Sequence, residues 1–464
     1  MAFRAPEQLV ARSGLYKWLD RRGHGLSSIV MRWSPLIRAV ALAGLAAHLA
    51  APNASGQETQ PGTTQRQPTL ETEAPPAKPL PSLLPPVASY PIELLGLLAP
   101  NREATAIVPA IGISEEWNSN IFFDNNNLQS DFITNITPSL TLIVNQPTFR
   151  LIAGVASSAE IYAKDSSLGD IFGRGAVMLG GDYSVSPDFR LRLSDTFAFD
   201  RGTGGGRQGF TVGRQLSIDN RVSGGFTWLF PRTTLDVTAT YEINRFPGSG
   251  NGVDSDTYDV RSILSYAFTQ RLSGSVGYDF TFLGIRGADD STTHTPTLGL
   301  TYQVTRSFSA AVNGGPAITQ VAGDTFVTPA GSIVLTQAWR FGTLTLQYNR
   351  GISVAGGLGG TTDNQTAAGT FVMPTFIRDL VVRLYTSYNR AKSLDSPQTV
   401  ALDVDATSYT VALGAVYLFN QYISIYGGYD FIRQETGQSA TTQINGDQHR
   451  VRIGLQLSYP IAIH

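Results

Sequence analysis

Apolar and polar residues alternate one by one along most of the chain after Thr105. The run from Leu235 to Asn244 shows this alternation, and so do the runs that begin at Leu272, Leu344 and Val451. A period of two residues is typical of a β-strand with one apolar and one polar face. The pattern predicts an all-β protein, although a soluble β-sandwich would alternate in the same way.

The spacing of the turn signals separates these two possibilities. Tight turns are predicted near Gln146-Pro147, Pro187-Asp188, Pro231-Arg232, Gln270-Arg271, Arg306-Ser307, Arg340, Arg378-Asp379 and Asn420. Longer polar or glycine-rich segments lie about halfway between them. Short periplasmic turns and longer extracellular loops are the arrangement of bacterial outer-membrane barrels. Eight turns join nine hairpins, so residues 105–464 are predicted to form a closed antiparallel transmembrane β-barrel of about 18 strands.

Aromatic residues fall into two bands, one near the short turns and one near the long loops. Trp228 and Trp339 belong to the first band, and Tyr241 and Tyr348 belong to the second. Such bands mark the two interfaces of a membrane. Because backbone polar groups must be paired in lipid, the sheet has to close. We therefore expect the last strand, about Gln448 to Pro460, to pair with the first, about Thr105 to Trp117.

The first 104 residues have a different composition. Residues 1–56 carry seven Lys or Arg and two acids, followed by the apolar run AVALAGLAAHLAA. This pattern predicts a secretory signal peptide with an extended N-terminus, whose true start could be Met31, although a basic tail with an Ala-rich helix is an alternative. Residues 57–104 are rich in Pro and are predicted to be an extended periplasmic linker, a candidate binding segment for periplasmic export partners.

Composition excludes several classes of function. The chain of 464 residues has a formal net charge of -2, which gives no attraction to nucleic acid. It has no Cys, and so it has no disulfide, thiolate metal site or lipoprotein anchor. The partners expected for such a barrel are outer-membrane lipids and the barrel-assembly machinery.

The polar face of the predicted strands carries charges of both signs in similar number. By strand parity the lumen-lining candidates are Arg150, Glu160, Arg174, Asp182, Arg190, Arg192, Arg221, Asp236, Glu242, Asp259, Arg261, Asp279, Arg383, Arg450 and Arg452. An ion-selective pore would show one dominant sign, so this mixture favours neutral or weakly anionic hydrophilic solutes. The alternative is that the charges pair with each other and only brace the wall.

Two positions give more specific expectations. Glu116 and Arg450 lie on neighbouring strands at similar distances from the periplasmic end, and we expect their side chains to approach each other at the seam. Asp195 falls on the lipid face by parity, and we expect a bulge or a rim position there.

Catalytic chemistry finds little support in the sequence. His294, His449 and His464, the histidines after the signal segment, lie far apart and have no partners at metal-ligand spacing. No serine or acidic pair is placed beside a histidine by a single strand. We therefore expect no enzyme activity, no metal site and no cofactor.

Residues 109–142 resemble the start of an outer-membrane β-barrel family often called the beta-barrel porin 2 family. The matching parts are Pro109, the corner from Glu116 to Asn120, Ser130-Asp131 and Pro138-Ser139-Leu140. The resemblance implies an outer-membrane channel, and some members of the family are associated with exopolysaccharide export. The sequence as a whole thus predicts an exported outer-membrane channel for hydrophilic solutes, with saccharides as the expected cargo. The alternative is a structural barrel with a plugged lumen that anchors a surface layer or a partner complex.

Overall fold

The computed structural model describes residues 105–463, except for 204–208, 249, 375, 376, 378, 395–402, 438, 439, 441 and 442. The predicted signal peptide (1–56) and the predicted linker (57–104) lie outside the described residues, so both stay predictions.

Long antiparallel strands account for most of the described chain. They are β1 (Ala106–Asn118), β2 (Asp131–Asn145), β3 (Phe149–Tyr162), β4 (Asp170–Ser186), β5 (Phe189–Asp200), β6 (Ser217–Leu229), β7 (Thr233–Arg245), β8 (Ser255–Ala267), β9 (Leu272–Ile285), β10 (Ser291–Gln303), β11 (Phe308–Val321), β12 (Asp324–Trp339), β13 (Gly342–Val354), β14 (Thr361–Pro374), β15 (Leu380–Ser393), β16 (Asp405–Leu418), β17 (Ile423–Thr436) and β18 (Gly446–Ser458). Each strand pairs with the next one along the chain.

The sheet closes between the first and the last long strands. β1 pairs with β18 from Ala110–Ser458 to Asn118–Arg450. Beyond Pro460 a two-residue strand, β19 (Ile461–Ala462), pairs with the start of β1 and extends the seam. The closed antiparallel barrel of 18 long strands predicted from the sequence is therefore confirmed.

The two ends of the barrel differ in the length of their connections. All eight predicted tight turns join strands at one end, which is the periplasmic end by the usual arrangement of such barrels. The opposite, extracellular end carries longer loops, with one exception. β11 and β12 are joined there by Ala322 and Gly323 alone, with φ of 50° and 91°. Two successive positive φ values make the tight hairpin turn that matches strand twist.

The outer face of the barrel is apolar between two aromatic bands. Near the periplasmic end, Trp228 stacks on Phe230 at 5.0 Å between ring centroids. Near the extracellular end, Tyr241 stacks on Tyr258 at 4.4 Å. Between the bands, apolar side chains such as Leu193 are exposed on the outside. Burial is thus inverted relative to a soluble protein, as expected for a wall in contact with lipid.

Asp195 lies on this apolar face, but not in the setting that the sequence predicted. The ladder is regular there, and Asp195 stands opposite Leu179 on one side and Val222 on the other. It lies in the middle of β5 and not at a rim. The carboxylate accepts a hydrogen bond of 2.8 Å from the Asn220 side chain on β6. A second polar side chain, rather than a bulge, accommodates the charge.

Helix is almost missing from the part of the chain that the structure describes. One 3-10 turn, Ser166–Leu168, lies between β3 and β4 and is capped by the Asp165 side chain. No helix within those residues is long and apolar enough to span a membrane.

Candidate functional site

The lumen-facing side of the wall carries the candidate charges in one arc. Fourteen of the fifteen lumen-lining candidates lie on β3 to β9 and on β18, on the face opposite the exposed apolar side chains. Together with β1 and β2, these strands form one continuous stretch of wall through the seam. Arg383 on β15 lies outside this arc. We call the wall from β17 through the seam to β9 the charged arc.

A buried ion pair closes the seam of the charged arc. Glu116 on β1 stands opposite Arg452 on β18, and Arg452 Nε donates to Glu116 Oε2 at 3.0 Å. Arg450, the predicted partner, stands opposite Asn118 and lies 4.0 Å from Asp430 on β17. Arg450 thus lies diagonally across the seam from Glu116, near enough to interact with it electrostatically as predicted, while the direct ion pair is formed by Arg452. The cause of this difference is a register shift of two residues, which the stagger of the closed barrel determines.

A three-membered ionic cluster follows on β3 to β5. Arg174 Nε lies 2.8 Å from a carboxylate oxygen of Glu160 and 3.2 Å from one of Asp200. Glu160 also accepts a hydrogen bond from the Tyr162 hydroxyl. The guanidinium of Arg214, from the loop between β5 and β6, lies 4.8 Å from the centre of the Tyr162 ring. The cluster thus ties an extracellular loop to the wall.

Cross-strand pairs continue around the wall to β9. Arg221 lies 3.6 Å from Glu242, and Arg261 Nε donates to Asp279 at 2.8 Å. A third carboxylate in this region, Asp259, accepts a hydrogen bond from the Thr281 hydroxyl.

Arg192 on β5 reaches across β6 to Asp236 on β7, passing the position of Gly225. Thr227 donates to the same carboxylate oxygen at 2.8 Å. Most charges of the arc are therefore neutralised within the wall, as the bracing alternative proposed.

The remaining candidates, Arg150, Asp182, Arg190 and Arg383, also lie at inward positions of the wall. Arg150 stands opposite Asp182, and Asp182 stands opposite Arg192, in one row across β3 to β5. Arg190 has no ion pair among the described residues. Arg383 stands between Val372 and Gly414 on the far wall.

The wall from β10 to β16, here the neutral arc, has a different surface. Its inward positions carry many hydroxyl and amide side chains together with small or apolar ones such as Ala330 and Val334, and the charged exceptions are Arg383 and, at the extracellular tip of β12, Asp324. The inward residues include Thr293, Thr297, Thr301, Asn313, Ser332, Thr336, Thr345, Gln347, Asn349, Thr366, Thr370, Ser387 and Asn389. A neutral surface of donors and acceptors thus faces the charged arc across the lumen.

Apolar residues from six extracellular loops meet in one cluster at the mouth of the barrel. The mouth cluster consists of Phe123, Phe210, Val212, Phe246, Ala355, Leu358, Ala391, Val404, Ala406 and Ile444. Its loops arise from hairpins all around the wall, so they can meet only across the opening. Phe210 lies at its centre with 1% of its surface exposed. Burial of apolar surface holds these loops together.

The described part of the β5–β6 loop, residues 201–203 and 209–216, reaches the far wall of the barrel. Its Thr211 backbone N–H donates to Gln434 Oε1 at 2.8 Å, and Gln434 Nε2 donates back to Thr211 O at 2.9 Å. Gly209 O accepts a hydrogen bond from Ser408 on β16. Gly209 has a φ of 79°, and a Cβ there would lie 2.2 Å from Asn389 Nδ2, so only glycine fits. The loop therefore lies across the lumen and docks on β15 to β17.

Reasoning from the sequence missed these docking residues. Gln434 and Gln448 are uncharged, whereas the site residues predicted from the sequence are all charged. Gln448 donates to Asn120 O and to the Thr203 hydroxyl, which joins β18 to two loops. A glutamine at an inward position one step from a long loop was the available signal. Phe123 and Phe210 gave no periodic signal, because they lie in loops.

Histidine lies on the outside of the barrel. His294 Nδ1 is 2.7 Å from the Tyr278 hydroxyl, and His449 Nδ1 is 2.8 Å from the Tyr429 hydroxyl. Both histidines therefore belong to the extracellular aromatic band. Within the described ranges no group of three His, Asp or Glu side chains is arranged to hold a metal ion.

Fold and surface together define the class of the protein. A closed barrel of 18 long strands, apolar outside, polar inside and banded by aromatics, is a transmembrane β-barrel of the bacterial outer-membrane type. Barrels of about 16 to 18 strands leave an aqueous lumen.

The barrel is similar in outline to solved outer-membrane proteins. OpdO of Pseudomonas aeruginosa has 11% identity and a TM-score of 0.42, over 77% of this chain and 98% of that one. OprD of the same organism has 12% identity and a TM-score of 0.40, over 79% and 96%. The FrpB iron transporter of Neisseria meningitidis has 9% identity and a TM-score of 0.43, over 78% and 82%. Similarity at this level supports no conclusion about cargo.

The sequence comparisons found no relatives. No protein-family model matches the chain, and no curated protein matches it. The resemblance of residues 109–142 to the beta-barrel porin 2 family therefore stays a prediction.

Proposed function

We propose that the barrel is a channel for neutral hydrophilic solutes, with saccharides as the preferred class. The neutral arc is the observation that carries this proposal. A sugar offers many hydroxyl groups and no charge, and Thr, Ser, Asn and Gln side chains can exchange hydrogen bonds with it along the path. The charged arc opposite is largely paired internally, so it exerts little net field on an ion.

Asn313 is the residue of the neutral arc best placed to contact a solute. Its side chain is exposed on the lumen face of β11 and donates to the Ser332 hydroxyl at 2.8 Å. Gln347 occupies an inward position on β13, opposite Val334 and Ala368. Neither residue is part of the mouth cluster or of an ion pair.

Sugar flux and ion conductance together test the proposal. The refolded protein is placed in liposomes, and swelling is measured in isosmotic sucrose and in isosmotic potassium gluconate. Swelling should be faster in sucrose, and Asn313→Leu with Gln347→Leu should slow it while KCl conductance stays close to wild type. Outward Leu346→Ala, on the same strand, is the control and should change neither rate. Equal swelling rates in the two solutes would contradict the preference for neutral cargo.

We further propose that the channel takes part in exopolysaccharide export, as the resemblance of residues 109–142 suggests. In that role the Pro-rich residues 57–104 bind a periplasmic export partner, and saccharide moves outward. Genes for glycosyltransferases and a polysaccharide co-polymerase beside the gene for this chain would support the assignment. Loss of surface polysaccharide on deletion of the gene, with no change in sugar uptake, would distinguish export from import.

The mouth cluster favours a second candidate, a structural barrel with a plugged lumen. Buried apolar side chains hold six loops together at the mouth, and loops in that position would block passage along the barrel axis. A refolded protein with no conductance in planar bilayers, including after removal of residues 57–104, would support this candidate over a channel.

A further inference from the structure

One pair of neighbouring strands separates before its extracellular end. The ladder between β12 and β13 runs from Trp339–Gly342 up to Gly331–Arg350 and stops there. Above that point β12 pairs with β11 only, and β13 pairs with β14 only. Residues 325–330 therefore have a backbone edge that no described strand covers. We call it the open edge.

Prolines weaken the wall at the same level. Pro316 on β11 stands opposite Pro329 on β12. Pro296 on β10 lies where the β10–β11 ladder is interrupted, between the His294–Ile318 and Leu298–Gly314 pairs. Because proline has no backbone N–H, it cannot donate to a ladder and is usually restricted to edges. The upper β11–β12 hairpin thus has an interrupted ladder with β10, which resumes at Ser291–His294, and no ladder with β13.

The upper β13–β14 hairpin leaves the wall towards the lumen. Val354 at the end of β13 packs against Leu283 and Ile285, which lie on the lumen face of β9. The Thr361 hydroxyl, at the start of β14, donates to Ser291 on β10 at 2.9 Å. The β13–β14 hairpin thus crosses on the lumen side of β10 to β12 and pairs with no residue of the open edge. We call the split between the open edge and this hairpin the slot.

Both apolar and polar side chains border the slot, and its foot carries charge at outward positions of β13 and β14. Val327 projects outward from the open edge and is 67% exposed, so the apolar surface of the wall continues beside it. The Thr328 hydroxyl faces inward, is buried, and has no hydrogen-bond partner among the described residues. At the foot of the slot, Arg350 and Asp363 form a two-point ion pair, with Nε–Oδ1 at 3.1 Å and Nη2–Oδ2 at 2.6 Å.

The split begins just above Tyr348 of the extracellular aromatic band, so the open edge lies at the membrane surface. A row of unpaired N–H and C=O groups is a ready site for a hydrogen-bonding partner. The edge, Thr328 and the Arg350–Asp363 pair offer hydrogen bonds in both directions, whereas Val327 and Pro329 offer an apolar surface. A molecule that satisfies all of these has an acyl chain and a polar head rich in hydroxyl groups.

We propose that the split between β12 and β13 is a lateral port that binds a sugar-headed amphiphile and connects the lumen with the outer leaflet. The head group occupies the slot beside the open edge, and the acyl chain lies along Val327 and Pro329. The mouth cluster lies at the opening above the lumen, and the port lies to its side. The proposal goes beyond conduction of free sugars and does not depend on it.

Photo-cross-linking of the unmodified protein tests the binding. The probes are a dodecyl maltoside and a dodecyl phosphocholine, each with a diazirine on the alkyl chain, at equal concentrations in lipid vesicles. The maltoside should label residues 325–330 and 350–354 several-fold more than the phosphocholine does, while the outer face of β5 to β7 should be labelled equally by both. Equal labelling of the slot by both probes would overturn the head-group assignment. Labelling no higher than on β5 to β7 would overturn the port.

Engineered cysteines test the opening, since the chain has none of its own. Ala330→Cys with Gly351→Cys extends the ladder register by one pair, and Gly351 has no atom within 4 Å of an added Cβ. Ser332→Cys with Asn349→Cys is the paired control below the split. Oxidation should cross-link the control many times faster. Equal rates would mean that the wall is closed, and they would overturn the proposal.

A lipid-borne quencher gives an independent reading. A fluorophore on Thr328→Cys should be quenched by vesicle lipids with a nitroxide on the acyl chain. The same label on Thr345→Cys, inward on β13 where both ladders are complete, should not be quenched. Heat-dependent mobility on gels confirms that each variant is folded. Equal quenching at the two positions would refute a port that is confined to the split.

Discussion

The Glu116–Arg452 pair at the seam should stabilise the barrel far more than an ion pair elsewhere in the wall. The Glu116 side chain is 1% exposed, and that of Arg452 is 15% exposed. Removal of one partner of a buried pair leaves an uncompensated charge and costs about 3 to 5 kcal/mol. Arg452→Met should reach that range, because it leaves a carboxylate that is almost fully buried. Glu116→Gln should cost less, since an amide oxygen can still accept from Arg452.

The double variant separates the interaction energy of the two side chains from the cost of leaving one charge buried without its partner. Glu116→Gln with Arg452→Met leaves neither charge behind, so it should cost clearly less than the sum of the single variants. We expect a coupling of about 1 to 3 kcal/mol, the range for residues in direct contact. Arg261–Asp279 is the matched control, with side chains 55% and 21% exposed. Its loss should cost at most about 1 kcal/mol, because water replaces the partner.

Urea unfolding and refolding in detergent micelles, followed by tryptophan fluorescence, measures these free energies. The partners at the seam are 336 residues apart in sequence, so their contact requires the whole wall to be in place. If the seam forms late, its loss should accelerate unfolding and leave the refolding rate almost unchanged. A control pair as costly as the seam pair, or a double variant as unstable as the sum of the single variants, would refute this reasoning.

Three further outcomes follow from particular contacts. Gly454→Ala should destabilise the barrel by about 1 to 3 kcal/mol in the same assay, because its Cβ would lie 2.4 Å from the Tyr426 ring, and it should cost little in a Tyr426→Ala background. Phe210→Ala removes the central side chain of the mouth cluster and should lower the stability by about 3 to 5 kcal/mol, the usual cost for a buried Phe. It should also raise the open probability in planar bilayers, and an unchanged current would place the cluster off the conducting path. Arg192→Gln leaves the charge of Asp236 unpaired and should move the reversal potential towards cation selectivity. The Arg192→Gln, Asp236→Asn double variant should show no shift, and the shift of the single variant should be smaller at 1 M salt, where the screening length is about 3 Å.

Strand number and closure were predictable because they depend on local signals. Tight turns such as Pro231-Arg232 are set by the conformational preferences of a few residues. Alternation then fixes which face of each strand meets lipid. Because every backbone N–H and C=O group must be paired in a membrane, strands with these turns and faces have to form a closed barrel.

Contacts between strands were less predictable, because register is a property of the whole barrel. Glu116 faces Arg452 and not Arg450 because of a shift of two residues that no local signal records. Asp195 was expected at a bulge, since Asn220 could not be recognised as its partner before β5 and β6 were aligned. In both cases the sequence predicts the correct strand and the correct face, and only the contacting residue on the neighbouring strand differs.

The split in the wall had a signal in the sequence that was not used. Pro316 and Pro329 fall within alternating runs, where a central strand would not place them. The two-residue loop Ala322–Gly323 between them is the shortest connection at the extracellular end. A hairpin with almost no loop cannot reach the mouth cluster. Above Gly331 its β12 strand is therefore joined to β11 alone, and the other edge is left available to a ligand at the membrane surface.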